Sequence, residues 1–256
     1  DTINEFFDDK AAKRIINDYG LADFISINNL FANIEDLNTF TKNLELILSP
    51  EGVIAIESSY LLSMVNNMVF DFIYHDHLSY LSILPLEIFF KKFGLRLIRI
   101  QKVGTKGGSL RYFIARKNSS WNVDKSVNTL KNIEKKFNVS KKTFINFNKK
   151  INVINKELTN YLSKNKNFVT VGYGASATTT TLISHFKLNK VLKYLVDENP
   201  KKINTFSPGF HIPVYSSKRL KLDKPSIIVI LAWRFKKQII EKLKKMNIEA
   251  LIVIPI

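Results

Sequence analysis

An α/β fold built as two successive units is predicted by three observations. Short apolar runs of strand type alternate with helical segments in the first half of the chain and again from Asn167 onward. Two β-rich runs, LRLIRIQKV and SLRYFIARK, flank GTKGG and predict an antiparallel hairpin that closes the first sheet. A glycine turn, VGYGASA, lies between a strand and a helix at the start of the second unit, where a doubly wound sheet is expected. The 256 residues, 45% apolar and 12% aromatic, can fill one large core or two ordinary ones.

Apolar positions at helical spacing predict a helix from Ile3 to Tyr19, stopped by Gly20. Leu21 to Phe31 reads as a short buried strand running into polar Asn28 and Asn29. Asp36 is expected to cap a helix to Leu48, SPEG to turn, and VIAIES to form a second strand ending on Glu57. A strand, helix, strand unit implies parallel neighbours. Pro85 suits the first turn of a helix through Phe93, ended by Gly94, and the hairpin follows. This is the order of the second half of a class I methyltransferase sheet. The first half, with the glycine-rich loop for S-adenosylmethionine, would lie before Asp1, and a start on Asp1 rather than Met predicts a fragment.

Asn118 to Asn128 reads as a polar linker, and a basic amphipathic helix or helix pair, interrupted near Asn138 to Ser140, extends to Lys164. From Asn167, four strand runs and a helix from about Phe235 to Met246 predict a small Rossmann-like domain. The expected division is 1–117, 118–166 and 167–256.

The net charge of +17 invites a nucleic-acid reading. Lysine pairs at Lys91, Lys135, Lys141, Lys149, Lys201, Lys236 and Lys244 are dispersed, however, so no nucleic-acid partner is expected. No apolar run is long enough to span a membrane and the first residues lack the apolar core of a signal peptide, so no membrane partner is expected either. The absence of cysteine removes disulfides and Cys-ligated metals from this chain and agrees with a cytoplasmic location.

Chemistry concentrates in FDFIYHDHLSYLS, where Tyr74, His75, Asp76 and His77 stand in a row. The pair His75 and His77 with Asp76 lacks a third metal ligand nearby, and no metal is expected. A satisfied buried histidine is the structural alternative. A general base oriented by a carboxylate, with a phenol to stabilise an oxyanion, fits the set better. Gly172, Gly174 and Ala177 fit G-x-G-x-x-A after a strand, which would bring Gly172, Tyr173, Gly174, Ala175 and Ser176 to a phosphate, with Asp197 placed for a ribose hydroxyl. A tight turn that merely requires glycine is the alternative. Lys201, Lys202 and His211, in the long loop Asn199 to Ser217, either face a diphosphate or lie on a proline-ordered surface.

Five stretches in order, NNLFANI, FDFIYHDHLSYLS, GGSLR, VGYGASA and PGFHIPV, resemble the sugar C-methyltransferase family, which acts on nucleotide-linked keto-deoxysugars in deoxysugar and polysaccharide biosynthesis. The resemblance implies S-adenosylmethionine as cofactor and a zinc-binding region preceding this chain. It implies His77 as the base, Tyr74 as the hydrogen-bonding partner of substrate or enolate, and Asp76 as the orienting acid. It also places Asn28, Asn29 and Leu30 at the cofactor, and Asn33, Lys106, Gly107, Gly108 and Ser109 at the substrate. Three positions depart from the family pattern: Asp76 stands where Glu is usual, and Asn33 and Lys106 each stand where His is usual. Asn33 cannot exchange a proton at neutral pH. Two rivals are a nicotinamide-dependent oxidoreductase using the glycine turn and a non-catalytic nucleotide-sugar-binding relative.

Overall fold

The structure, a computed structural model, describes residues 2–256. It divides into two compact units, the first running to Val69 and resuming from His75 to Lys141, the second comprising Phe70–Tyr74 and Lys142–Ile256. No helix among the described residues is long and apolar enough to cross a membrane.

In the first unit, helix α1 (Asp9–Tyr19) starts later than the apolar spacing predicts, because the Asp8 carboxylate accepts the Ala11 N–H and fixes the N-terminus there. Strand β1 (Ala22–Asn28) leads to a short 3-10 turn, Phe31–Asn33, and then to α2 (Leu37–Ile47), capped by Asp36 through the amides of Asn38 and Thr39. Strand β2 (Leu48–Ser59) contains SPEG, which therefore is not a turn. The pairing with β1 shifts register there, and Gly52 approaches so closely that a Cβ on it would lie 2.8 Å from the Ala22 carbonyl. Short helix α3 (Leu61–Asn66) and α4 (Ile83–Lys91) precede the hairpin of β3 (Leu95–Val103) and β4 (Ser109–Arg116), and α5 (Lys125–Phe137) completes the unit.

The sheet order is β1-β2-β4-β3, with β1 and β2 parallel and both pairings of β4 antiparallel. The last strand thus inserts between β2 and β3. One face buries Ile27, Ile54, Ile56, Tyr112 and Ile114 against Leu44, Phe90 and Leu130 of the helices. On the other face Phe24 is 61% exposed, and Val53, Phe113 and Trp121 help to line an apolar cavity of about 400 Å³.

The second unit receives most of α6 (Lys141–Lys164), so the basic segment expected to link two domains is shared out, α5 to the first unit and α6 to the second. Then come β5 (Thr170–Tyr173), α7 (Ala177–His185), β6 (Leu192–Val196), β7 (Thr205–Phe206), β8 (Pro213–Tyr215), α8 (Arg219–Asp223), β9 (Ile227–Ile230), α9 (Lys236–Lys245) and β10 (Leu251–Val253). The sheet has six strands rather than four, in the order β10-β9-β5-β6-β8-β7. The two additional strands, each of two or three residues, come from the loop Asn199 to Ser217, and such short pieces give no period-2 signal. All pairings are parallel except β7 with β8. Full burial of the β9 run IIVI follows from its place inside a parallel sheet.

Candidate active site

The carboxyl ends of β1 and β2 carry the residues that the sequence assigns to cofactor and substrate in the first unit. Asn29, at φ 56, ends β1 and donates its N–H to the Glu57 carbonyl, while the Asn28 amide donates to Ser26 Oγ and Leu30 stays 47% exposed. The next turn fixes the position of the histidine run. The Ala32 carbonyl accepts the amides of Leu78 (3.1 Å) and Ser79 (3.0 Å), and the Leu61 amide donates to the Leu81 carbonyl. Residues 78–81 are thereby tied at both ends, and His77 sits directly before the first tie. Next to Ala32, Asn33 holds a buried Oδ1 that accepts no hydrogen bond. Such an acceptor is costly to leave unmade, and a hydroxyl or amide donor from a ligand would satisfy it.

His77 is half-buried, and burial is the main cause that holds its imidazole below the ordinary histidine range. The Lys106 ammonium adds to this and the Asp76 carboxylate opposes it. The imidazole is therefore neutral at pH 7, the form a base requires. Lys106, at φ 52 in the hairpin turn, thus acts electrostatically on the histidine. The Asp76 Oδ1 lies 3.0 Å from His75 Nε2 at an exposed turn, while the same carboxylate also acts electrostatically on His77. In that turn the two adjacent side chains meet in solvent.

Gly107 and Gly108 are explained by packing. Both have positive φ, and a Cβ on them would lie 2.7 Å from a Val69 methyl and 2.6 Å from the Ser63 Cβ. Their carbonyls accept from Asn67 Nδ2 and the Tyr60 amide, and Ser109 Oγ donates to the Thr105 carbonyl. Glu57, which sequence reasoning used only as a strand end, is buried here. It accepts from Thr105 Oγ1 and, at 2.6 Å, from Arg111 Nη2.

Tyr74 belongs to the second unit. The strap Phe70–Tyr74 packs there through Phe70, whose ring meets His185 and Phe186 edge-on, and through Asp71, which is fully buried and accepts from Trp233 Nε1 (3.1 Å) and Arg234 Nη2 (2.7 Å). Neither Trp233 nor Arg234 is flagged by any local motif. A contact spanning 162 residues is invisible to spacing rules.

The glycine turn of the second unit is also shaped by packing. A Cβ on Gly172 would lie 2.6 Å from Leu195, and one on Gly174, at φ 111, would lie 2.9 Å from the backbone nitrogen of Ala232. Gly172→Ala is expected to destabilise this unit by about 1–3 kcal/mol through overpacking, measured as a lower Tm in the absence of any ligand. Asp197 accepts the Ala175 amide at 2.8 Å and the Asn199 amide at 2.9 Å, with Lys202 Nζ at 3.6 Å. Its carboxylate thus closes the turn. Ser176 caps α7 by accepting the Thr179 amide, and the Tyr173 hydroxyl donates to Glu198. Ala175, Ser176 and Thr179 line a cavity of about 230 Å³ together with Lys202, while Lys201 is exposed and outside that lining. The volume suits a phosphate group better than a dinucleotide.

The family profile of the C-methyltransferase C-terminal domain matches residues 104–256, more than half of the chain. The chain belongs to this family. A methyltransferase family implies S-adenosylmethionine as the family's cofactor. C-methyltransferase NovU of Streptomyces niveus is 26% identical over 250 residues, covering 96% of this chain and 59% of that protein. The chain therefore spans about three-fifths of this relative's length. Among solved structures, that of M1.HpyAVI aligns at 11% identity over 44% of this chain and 52% of its own, with a TM-score of 0.28.

Proposed function

We propose that this C-methyltransferase-family chain forms the catalytic-base and substrate-binding portion of an enzyme that methylates carbon beside the ketone of a nucleotide-linked keto-sugar. The observation that carries the reading is the tie of residues 78 and 79 to the Ala32 carbonyl, which fixes the segment directly after half-buried His77 to the turn that bears the unsatisfied Asn33 acceptor, beyond the carboxyl end of a parallel strand. The sheet order β1-β2-β4-β3, with an antiparallel strand inserted next to the edge, supports the half-sheet of a class I methyltransferase.

Asn28, Asn29 and Leu30 fit one wall of a cofactor site, since an exposed amide and a half-exposed leucine flank the end of β1. When bound, S-adenosylmethionine supplies an electrophilic methyl group. The chain's residues generate the nucleophile, which is the enolate carbon of the sugar. His77 removes the proton from the carbon next to the ketone, the Tyr74 phenol donates a hydrogen bond to the enolate oxygen, and Asn33 Oδ1 accepts from a sugar hydroxyl. Lys106, by repelling a proton from His77, keeps the base free. In the second unit, Lys202 and the cavity at the start of α7 offer the cation and hydroxyls for a phosphate of the nucleotide.

The test uses the full-length enzyme with nucleoside-diphosphate keto-deoxysugars in deuterium oxide. Deuterium uptake at the carbon beside the ketone, with transfer of labelled methyl from the cofactor to that carbon, is expected. Methyl transfer to a sugar oxygen, or binding of the nucleotide-sugar with neither exchange nor transfer, overturns the proposal, the latter result favouring a non-catalytic relative. A pH–rate profile adds a second check. Activity should rise with pH through the His77 pKa, below the ordinary value of about 6.5. Lys106→Met should move that acid limb upward, because a repelling charge is removed, and Asp76→Asn should move it downward.

A further inference from the structure

We infer that Arg234, anchored by Asp71, is a positioning residue for Tyr74, so that the second unit sets the reactive phenol as well as holding substrate. The inference rests on the role given to Tyr74 above. Its structural basis lies wholly within the second unit. The Arg234 guanidinium stands 4.3 Å from the centroid of the Phe72 ring and 4.7 Å from that of Trp233. Phe72 in turn stacks on Tyr74, with centroids 6.1 Å apart and planes inclined by 30°. Cation, Phe72 and Tyr74 thus form a short chain of contacts along the strap.

What holds the cation is Asp71. Its carboxylate is completely buried, and one oxygen accepts from both Arg234 and Trp233 while the other has no partner. The Arg234 side chain is only 14% exposed. A buried pair of this kind is weak evidence for net stability, since desolvating both ions offsets most of their attraction, but it fixes geometry because either partner alone would be an uncompensated buried charge. Burial raises the Asp71 pKa and Arg234 opposes that rise, so loss of the arginine would leave a carboxyl that takes up a proton and releases the strap. Within the strap the Ile73 amide donates to the Phe70 carbonyl and the Tyr74 amide to the Phe72 carbonyl, bonds that set the backbone of the turn. Arg234 also interacts electrostatically with Tyr74 itself, which places the cation within reach of charge that develops on the phenol.

The decisive measurement combines hydrogen exchange with a double-mutant cycle in the full-length enzyme. In Arg234→Met, the amides of Ile73 and Tyr74 should exchange at least about tenfold faster, with those of β5 and β9 unchanged. Labelled-methyl transfer to a nucleoside-diphosphate keto-deoxysugar should lose about tenfold or more in kcat with KM within about threefold, and Arg234→Lys should recover part of it. Tyr74→Phe should cost a similar factor, and Tyr74→Phe combined with Arg234→Met should be no worse than either alone within about twofold. Losses that multiply, or unchanged exchange at Ile73 and Tyr74, overturn the inference while leaving the role of Tyr74 intact. Full activity in Tyr74→Phe overturns that role and the inference with it. Should Arg234→Met fail to fold, Trp233→Phe removes one hydrogen bond to Asp71 while keeping a ring under the guanidinium, and the same two readouts decide.

Discussion

Replacing His77 by asparagine is expected to lower methyl transfer by the full-length enzyme about 10²–10⁴-fold, the range for loss of a general base. Proton exchange at the carbon beside the ketone should fall by a similar factor, because asparagine cannot take up a proton at neutral pH. His75→Asn should keep activity within a few-fold. The two histidines differ in setting: the His75 side chain is 92% exposed and paired with Asp76 at the surface, whereas His77 is half-buried directly before the segment tied to Ala32. Measured kcat for the two variants, with circular dichroism to establish folding, checks the assignment. Equal loss in both would mean that the turn as a whole, and not the His77 imidazole, is what the reaction needs.

The second large effect is on stability and lies away from the site. Glu134 is 3% exposed, and its carboxylate accepts the amides of Ile83 and Leu84, both at 2.8 Å, together with the Tyr60 hydroxyl at 3.2 Å. Ser82 stands at the N-cap of α4 without a side-chain capping bond, so a residue of α5 does the capping instead. The helix dipole favours a negative charge at that position. Glu134→Ala would leave two amides and a phenol without their acceptor, at a cost of about 3 kcal/mol or more. The transition of the first unit should fall by roughly 10 °C. Glu134→Gln, which keeps one oxygen acceptor, should lose less, and calorimetry on both variants resolves the difference.

Reading the sequence succeeded where the cause was local. Asp36 caps α2, Gly20 and Gly94 end their helices at positive φ, and Asn138 stops α5 in the left-handed conformation, each through its own backbone and side chain. It failed where a partner in space decided. SPEG looks like a turn, yet it lies inside β2 as the irregular stretch across which the pairing with β1 shifts register. Loop residues 205–206 and 213–215 become strands because β6 offers an edge, a template that no five-residue window contains. The glycine turn fits a nucleotide motif, and the structure adds what no motif shows: the close approach of Leu195 to Gly172 and of Ala232 to Gly174, and the Asp197 carboxylate on the Ala175 amide.

The order of residue types along the chain was enough to determine an α/β protein, and to single out the run Tyr74 to His77 as its candidate chemical centre. Periodicity, caps and motif spacing are short-range properties, and they survive any change of tertiary context. Only the tertiary structure divided that run, assigning Tyr74 to a strap held by Asp71 and Arg234 and His77 to a segment tied to Ala32. It also set the Asp76 carboxylate between two influences, near His75 and on His77, and left Asn33 Oδ1 unsatisfied. These outcomes depend on which distant groups share a low-dielectric space, where one hydrogen bond or one neighbouring charge decides a residue's role.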